Sequence, residues 1–331
     1  MSVYTPVSEA ELSNFLCQYN IGELISHTGI SAGIENTNYF VDTTQGRYIL
    51  TLFEHHTAEE LVYFLDLMST LADASVPTAK PISQRQGEIL AELNGKPAAL
   101  VTCLKGSTLD KKQASYAQCE AIGNALARMH VAGHDFPHQR EPDRGVSWRE
   151  LMGDELVKHE ALALDDEQLL KQELEYQATI NFELLPSGVI HADLFRDNAM
   201  FEGDELSGII DLYYACNDAF LFDMAVVVND WCWSLDGGID KDRLSIFLNA
   251  YHQVRPLENS EREYWFATLK AAALRFWLSR LKDKFSPREG ELTQVKDPDE
   301  FKAKLQYLVA SKELIDSVWV DEMSEKRVCN G

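Results

Sequence analysis

The chemically richest stretch of the sequence is Val189-Ile190-His191-Ala192-Asp193-Leu194-Phe195-Arg196-Asp197-Asn198-Ala199-Met200-Phe201. A short apolar strand enters a polar loop, and a second short strand leaves it. The loop carries Asp193 and, five residues on, Asn198; thirteen residues later the apolar run Gly208-Ile209-Ile210 ends in Asp211. Magnesium is a hard cation that takes a carboxylate or two together with substrate phosphates. Asn198 and Asp211 supply such oxygens, and Asp193 is placed to orient an attacking hydroxyl and accept its proton. The constellation therefore points to phosphoryl transfer. One D-x-x-x-x-N alone also suits an ordinary turn closed by Asx hydrogen bonds. The joint spacing, with strand context on both sides, favours the chemical reading.

The surrounding patterns must position these groups. Tyr39–Val41 and Tyr48–Phe53 flank the turn residues Asp42–Gly46, which predicts a hairpin. Ile89–Leu93 and Pro97–Thr102 flank Asn94-Gly95, a strong signal for a second hairpin. Thr57–Glu60 starts a helix with Leu61, Phe64, Leu65, Met68 and Leu71 on one stripe. Beyond Lys105–Ser107 the pattern turns helical over 113–133, 165–183, 218–235, 240–254, 260–285 and 299–316. It is interrupted by strand-like pieces at Val189-Ile190, Ala199–Phe201 and Gly208–Asp211, and by a surface loop at Pro137–Ser147. The expectation is an α+β protein: residues 1–103 form a β-rich part with one helix, and 104–331 a helical part holding the polar loop. Val328–Gly331 is expected to fray.

Composition narrows the partners. With 331 residues, 30 Lys+Arg against 53 Asp+Glu and a net charge of −23, the average field repels nucleic acid and anionic membrane surfaces. No apolar run reaches a membrane span, and the first residues lack the basic and apolar regions of a signal peptide. The six cysteines contain no C-x-x-C pair, so a reduced, cytoplasmic protein of enzyme size is expected.

His191-x-Asp193-x-x-x-x-Asn198 followed by Ile209-Ile210-Asp211 resembles the aminoglycoside-phosphotransferase and choline-kinase-like branch of the protein-kinase fold. Ala192 stands where protein kinases have Arg, and Leu212-Tyr213 replaces Phe-Gly. Asp223, in Phe222–Ala225, fits the downstream Asp of that branch. Within the branch, the chain resembles the homoserine kinases at Gly33–Phe40, Tyr48–Glu54, Ile210–Asp218, Asn229–Cys232 and Ala273–Arg280. The resemblance implies a bilobal kinase-like fold with ATP and Mg2+ as cofactors. The implied acceptor is L-homoserine, whose hydroxyl is phosphorylated in threonine biosynthesis.

It further implies Asp193, Asn198 and Asp211 as the catalytic set, with Asn198 and Asp211 on the metal. Gly33, Asn36, Asn38 and Thr51 are the expected nucleotide residues, Thr51 replacing the lysine that usually holds the phosphates. The segment Val101–Leu104, with Thr102 and Leu104, is expected to read adenine through its backbone. His191 is expected to brace the loop.

For the acceptor, Arg275 suits a carboxylate, with Arg196 as a rival. Asp230 suits an ammonium or is a helix surface charge, and Tyr213 is a further candidate. Trp231, Trp233, Trp265 and Trp277 suit either a core or a cage for a quaternary ammonium. Choline, ethanolamine, methylthioribose and aminoglycosides are thus alternative acceptors, and a binding module without activity is a further alternative.

Overall fold

The computed structural model describes residues 5–30, 36–109, 113–286 and 296–325, the side chains of 320–325 excepted. The segment carrying Gly33 and the terminal Val328–Gly331 lie outside the described residues. Two compact units emerge: Met1–Gly106 with Ser207–Tyr213, and Ser107–Leu206 with Tyr214–Gly331. The division expected at 103/104 is corrected in two respects: the first unit extends to Gly106, and it takes back a later segment. That return is held by hydrogen bonds from Ile209 N–H to the Pro77 carbonyl (2.8 Å) and from the Thr78 hydroxyl to the Ile209 carbonyl (3.0 Å). Gly208 permits the approach, since a Cβ there would sit 2.7 Å from Leu104 Cδ1.

The first unit contains α1 (Glu9–Leu16), β1 (Leu24–Gly29), β2 (Thr37–Thr43), β3 (Gly46–Leu52), α2 (Ala58–Asp73), β4 (Ala91–Leu93) and β5 (Lys96–Thr102). The sheet order is β1-β2-β3-β5-β4, with antiparallel pairs throughout. Both expected hairpins form. At the second, Asn94 (φ 52°) and Gly95 (φ 74°) adopt the left-handed conformations that a tight two-residue turn demands. Alternation along β2 buries Tyr39 and Val41, which join Leu50, Leu52 and Leu12, Phe15 and Leu16 of α1 in one core. Reciprocal capping boxes start α1 at Ser8 and α2 at Thr57. Helix α1 and strand β1 have no counterpart among the expected elements.

The second unit holds β6 (Ser107–Thr108), α3 (Tyr116–Ala132), α4 (Val146–Val157), α5 (Leu164–Gln177), β7 (Ser187–Ile190), β8 (Ala199–Glu202) and the start of β9 (Glu205–Ile209). After the chain returns from the first unit come β10 (Cys216–Ala219), α6 (Phe220–Trp231), α7 (Lys241–Val254), α8 (Asn259–Phe285), α9 (Asp299–Ala310) and α10 (Lys312–Glu325). Every residue of α6 is buried, as is every residue of α8 from Ala267 to Ser279. The helix expected over 218–235 starts later because Cys216–Ala219 pairs antiparallel with β7. The one expected over 299–316 breaks at Ser311. Trp231, Trp265 and Trp277 are fully buried core residues, which removes them from an open aromatic cage. Among the described residues, no helix is long and apolar enough to cross a membrane.

Candidate active site

In the second unit, β7 delivers the chain into the loop, and the β7–β10 register fixes where His191 begins it. Ala192 then adopts φ 64°, a left-handed conformation unfavourable for a residue with a Cβ. One buried carboxylate holds this turn: Asp223 Oδ2 accepts the His191 N–H at 2.7 Å, and Oδ1 accepts the Ala192 N–H at 2.9 Å. Burial alone would raise the Asp223 pKa, but hydrogen bonding and charge from His130, with contributions from His191, bring it below the ordinary value. Because the carboxylate accepts, His130 Nε2 donates to Oδ2 at 3.1 Å, and its Nδ1 accepts from the Tyr251 hydroxyl at 2.6 Å. Burial of that ring pulls the His130 pKa down despite Asp223.

The rest of the loop is closed from three sides. Asn198 Nδ2 donates to the Asp193 carbonyl at 2.8 Å, and Phe195 N–H donates to the same carbonyl at 2.8 Å. Trp231 Nε1 donates to the Leu194 carbonyl at 3.1 Å. His191 is fully buried, and its Nδ1 accepts the Asp193 N–H at 3.3 Å. Arg196 forms a two-pronged pair with Asp230 (Nε–Oδ2 3.0 Å, Nη2–Oδ1 3.0 Å), and its backbone N–H donates to Oδ2 at 2.8 Å. Burial would lower the Arg196 pKa, but Asp230 outweighs it and the net is raised. Arg196, the rival for the acceptor carboxylate, and Asp230, the candidate for its ammonium, thus pair with one another and tie the loop to α6.

Asp193 keeps its side chain 22% exposed, while Asp197 on the same loop is 48% exposed and pairs with Lys296 at 3.5 Å. Burial lifts the Asp193 pKa above the ordinary value, against the opposing charge of Arg275, the nearest cation, whose Nη1 donates to Oδ1 at 3.2 Å. Arg275 lies 3.8 Å from the Phe276 ring centroid, and burial brings its pKa down to about 10 in spite of Asp193. Arg275, expected to take a substrate carboxylate, is thus the partner of the expected base. Replacing it with Met removes the charge that opposes protonation of Asp193. The acid limb of kcat/KM is expected to move to higher pH, read from a pH–rate profile; an unmoved limb would refute the coupling.

The first unit holds the other expected residues. Asp211, at φ 62°, lies within the returning segment as an exposed carboxylate. Tyr213, expected near the acceptor, packs against Phe53 (5.3 Å between centroids), Phe64 (5.7 Å) and His56 (5.9 Å). Burial and the Asp211 charge raise its pKa, and its hydroxyl interacts with that of Thr51. Thr51 is itself buried, and its hydroxyl donates to Asn38 Oδ1 at 2.7 Å. Asn38 Nδ2 donates to the Asn36 carbonyl at 3.4 Å, while Asn36 Oδ1 accepts the Glu54 N–H at 3.4 Å. These expected nucleotide side chains thus brace β2 against β3. Thr102 N–H donates to the Lys80 carbonyl at 2.9 Å, so it is not left for adenine, and Leu104 covers Gly208.

Arg144 and Asp218 are not among the expected site residues, although Asp218 ends the Ile210–Asp218 stretch of the resemblance. Both line a recess of the second unit that reaches Ala192 and Arg275. Arg144 lies in the stretch expected to be an ordinary surface loop, and no motif marks it.

A small antiparallel-sheet unit and a helical unit with this loop define a phosphotransferase of protein-kinase-like fold. The chain belongs to the phosphotransferase enzyme family, whose model matches residues 26–257. It is 49% identical over 323 residues to a homoserine kinase of Methylobacillus flagellatus, covering 97% of this chain and 99% of that one. A homoserine kinase of Neisseria meningitidis serogroup B is 43% identical over 302 residues, covering 91% and 98%. The fold is similar to a spectinomycin phosphotransferase solved with ADP and spectinomycin, with TM-score 0.70, 13% identity and coverage of 93% and 99%. It is also similar to an amicoumacin kinase solved with AMP-PNP, with TM-score 0.67, 16% identity and coverage of 92% and 93%.

Proposed function

We propose that the protein transfers the γ-phosphoryl group of ATP to the hydroxyl of L-homoserine, giving O-phospho-L-homoserine for threonine biosynthesis in the cytoplasm. The observation that carries this reading is the 49% identity, over nearly both full lengths, to a chain named homoserine kinase. The built loop around Asp193 supports it.

In this mechanism Asp193 orients the acceptor hydroxyl and takes its proton as the oxygen bonds to phosphorus and the bond to the departing ADP breaks. Arg275 fixes the Asp193 carboxylate, while Asp223 and Asp230 hold the backbone that carries it. Asn198 and Asp211 are each proposed as a magnesium donor: the Asn198 amide NH2 is fixed on the Asp193 carbonyl, which leaves its Oδ1 for a metal, and Asp211 is an exposed carboxylate. The ion, when bound, neutralises phosphate charge. Backbone N–H groups between Gly33 and Asn38 are the proposed phosphate cradle, and the backbone at Leu104 is proposed to read adenine.

ATP-dependent ADP release with magnesium tests this against L-homoserine, choline, ethanolamine, methylthioribose, kanamycin and no acceptor. Strong stimulation by L-homoserine alone is expected. Stimulation by another alcohol would overturn the acceptor, and ATP binding without turnover on any acceptor would favour a binding module.

A further inference from the structure

Two guanidinium groups meet beside the catalytic loop, and only one of them is neutralised there. The shallow recess they share is lined by Arg144, Ile190, Ala192, Tyr214, Asp218 and Arg275 among others. Arg275 is paired with Asp193. Arg144 approaches the same tyrosine as Arg275: the Tyr214 ring centroid lies 5.3 Å from Arg144 Cζ and 5.8 Å from Arg275 Cζ. Ser279 fixes this arrangement, for its hydroxyl accepts from Arg144 Nη1 at 3.0 Å and donates to the Arg275 carbonyl at 3.0 Å.

Among the described residues, that is the hydrogen bond Arg144 makes; its other N–H donors face no acceptor. The neighbouring Asp143 is paired with Arg140 at 2.9 Å and does not neutralise it. Arg144 is near enough to favour the charged form of Asp193 and to disfavour that of Arg275. A planar fork with spare donors, stacked on an aromatic ring within electrostatic reach of the base, suits a substrate carboxylate. Asp218 lines the same recess, with one oxygen accepting the Ala219 N–H at 2.7 Å and the other available as an acceptor.

We infer that this recess is the subsite for the amino-acid end of the acceptor, with Arg144 on its carboxylate and Asp218 on its ammonium. The inference rests on the homoserine reading and moves the carboxylate contact from Arg275 to Arg144. It also excludes aminoalcohols as equal substrates, because they leave Arg144 uncompensated.

The test compares L-homoserine, 3-aminopropan-1-ol (no carboxylate) and 4-hydroxybutyrate (no ammonium) as substrates or competitive inhibitors of wild type, R144M, R144K and D218N. R144M is expected to weaken L-homoserine and 4-hydroxybutyrate by roughly 10- to 100-fold, mainly in KM, since a charge-assisted hydrogen bond is lost. It should not discriminate further against 3-aminopropan-1-ol, and R144K should recover part of the loss. D218N should show the mirror pattern, weakening the two amines and sparing 4-hydroxybutyrate. If R144M weakens all three compounds equally, or none, the subsite is wrong while the homoserine reading stands. If wild type does not phosphorylate L-homoserine, the functional reading falls and the subsite with it.

Discussion

Replacing Asp193 with Asn is expected to lower turnover of L-homoserine by roughly 10²- to 10⁴-fold, the range associated with loss of a positioned general base. The amide keeps the shape of the carboxylate and can still touch Arg275, but it cannot take the proton. KM for ATP should change little, because Asp193 is proposed to act on the acceptor hydroxyl. The same substitution leaves Arg275 buried opposite a neutral group, so some thermal stability should also be lost. Steady-state kinetics together with nucleotide binding by calorimetry separate the effects. Retained ATP binding with lost turnover supports the role, whereas near wild-type turnover would remove Asp193 from it.

Asp223→Ala is expected to produce the largest loss of stability. The wild-type carboxylate is completely buried and satisfies three donors: the His191 and Ala192 N–H groups and the His130 ring. Alanine leaves all three unpaired in the interior and releases the left-handed turn at Ala192. Each buried donor left unpaired costs about 1–3 kcal/mol, so the three together take a large part of the ~5–15 kcal/mol that holds a typical domain. Asp223→Asn retains one acceptor oxygen and should fall between wild type and Ala. Urea unfolding followed by tryptophan fluorescence reads the cost, since Trp231 packs at the other end of the same helix and bonds the loop. A loss below about 1 kcal/mol, the scale of an ordinary surface change, would show that the turn holds itself.

Local periodicity and punctuation made the hairpins, α2 and most of the later helices legible. The Asn94-Gly95 turn forms because those two residues tolerate positive φ, a property of the residues themselves. The Thr57 capping box is likewise a four-residue affair. Asp193, Asn198 and Asp211 could be picked out because their spacing lies within one short stretch of chain. Strand β1 escaped for the opposite reason: Leu24–Gly29 shows no inside–outside alternation and is fixed by pairing with β2. Helix α1 escaped although it does carry local signals, a capping box at Ser8 and Leu12, Phe15 and Leu16 on one face.

The partners of the functional side chains were not legible at all. Arg275 looked like a substrate ligand because an arginine in an apolar helix needs an anion, and the sequence does not say which anion. The structure supplies Asp193, 82 positions away. Asp230 and Arg196 each suggested half of an amino-acid clamp, yet they neutralise one another across 34 positions. The same holds for the return of Ser207–Tyr213 to the first unit, which depends on contacts with Pro77, Thr78 and Leu104.

The sequence by itself determined most of the elements, the catalytic loop and the family, because each is written in residues close together along the chain. Only the tertiary structure decided which charges are already paired and which remain for a ligand. Charge pairing acts through space between residues far apart in sequence, and a buried ion pair and a binding residue use the same amino acids.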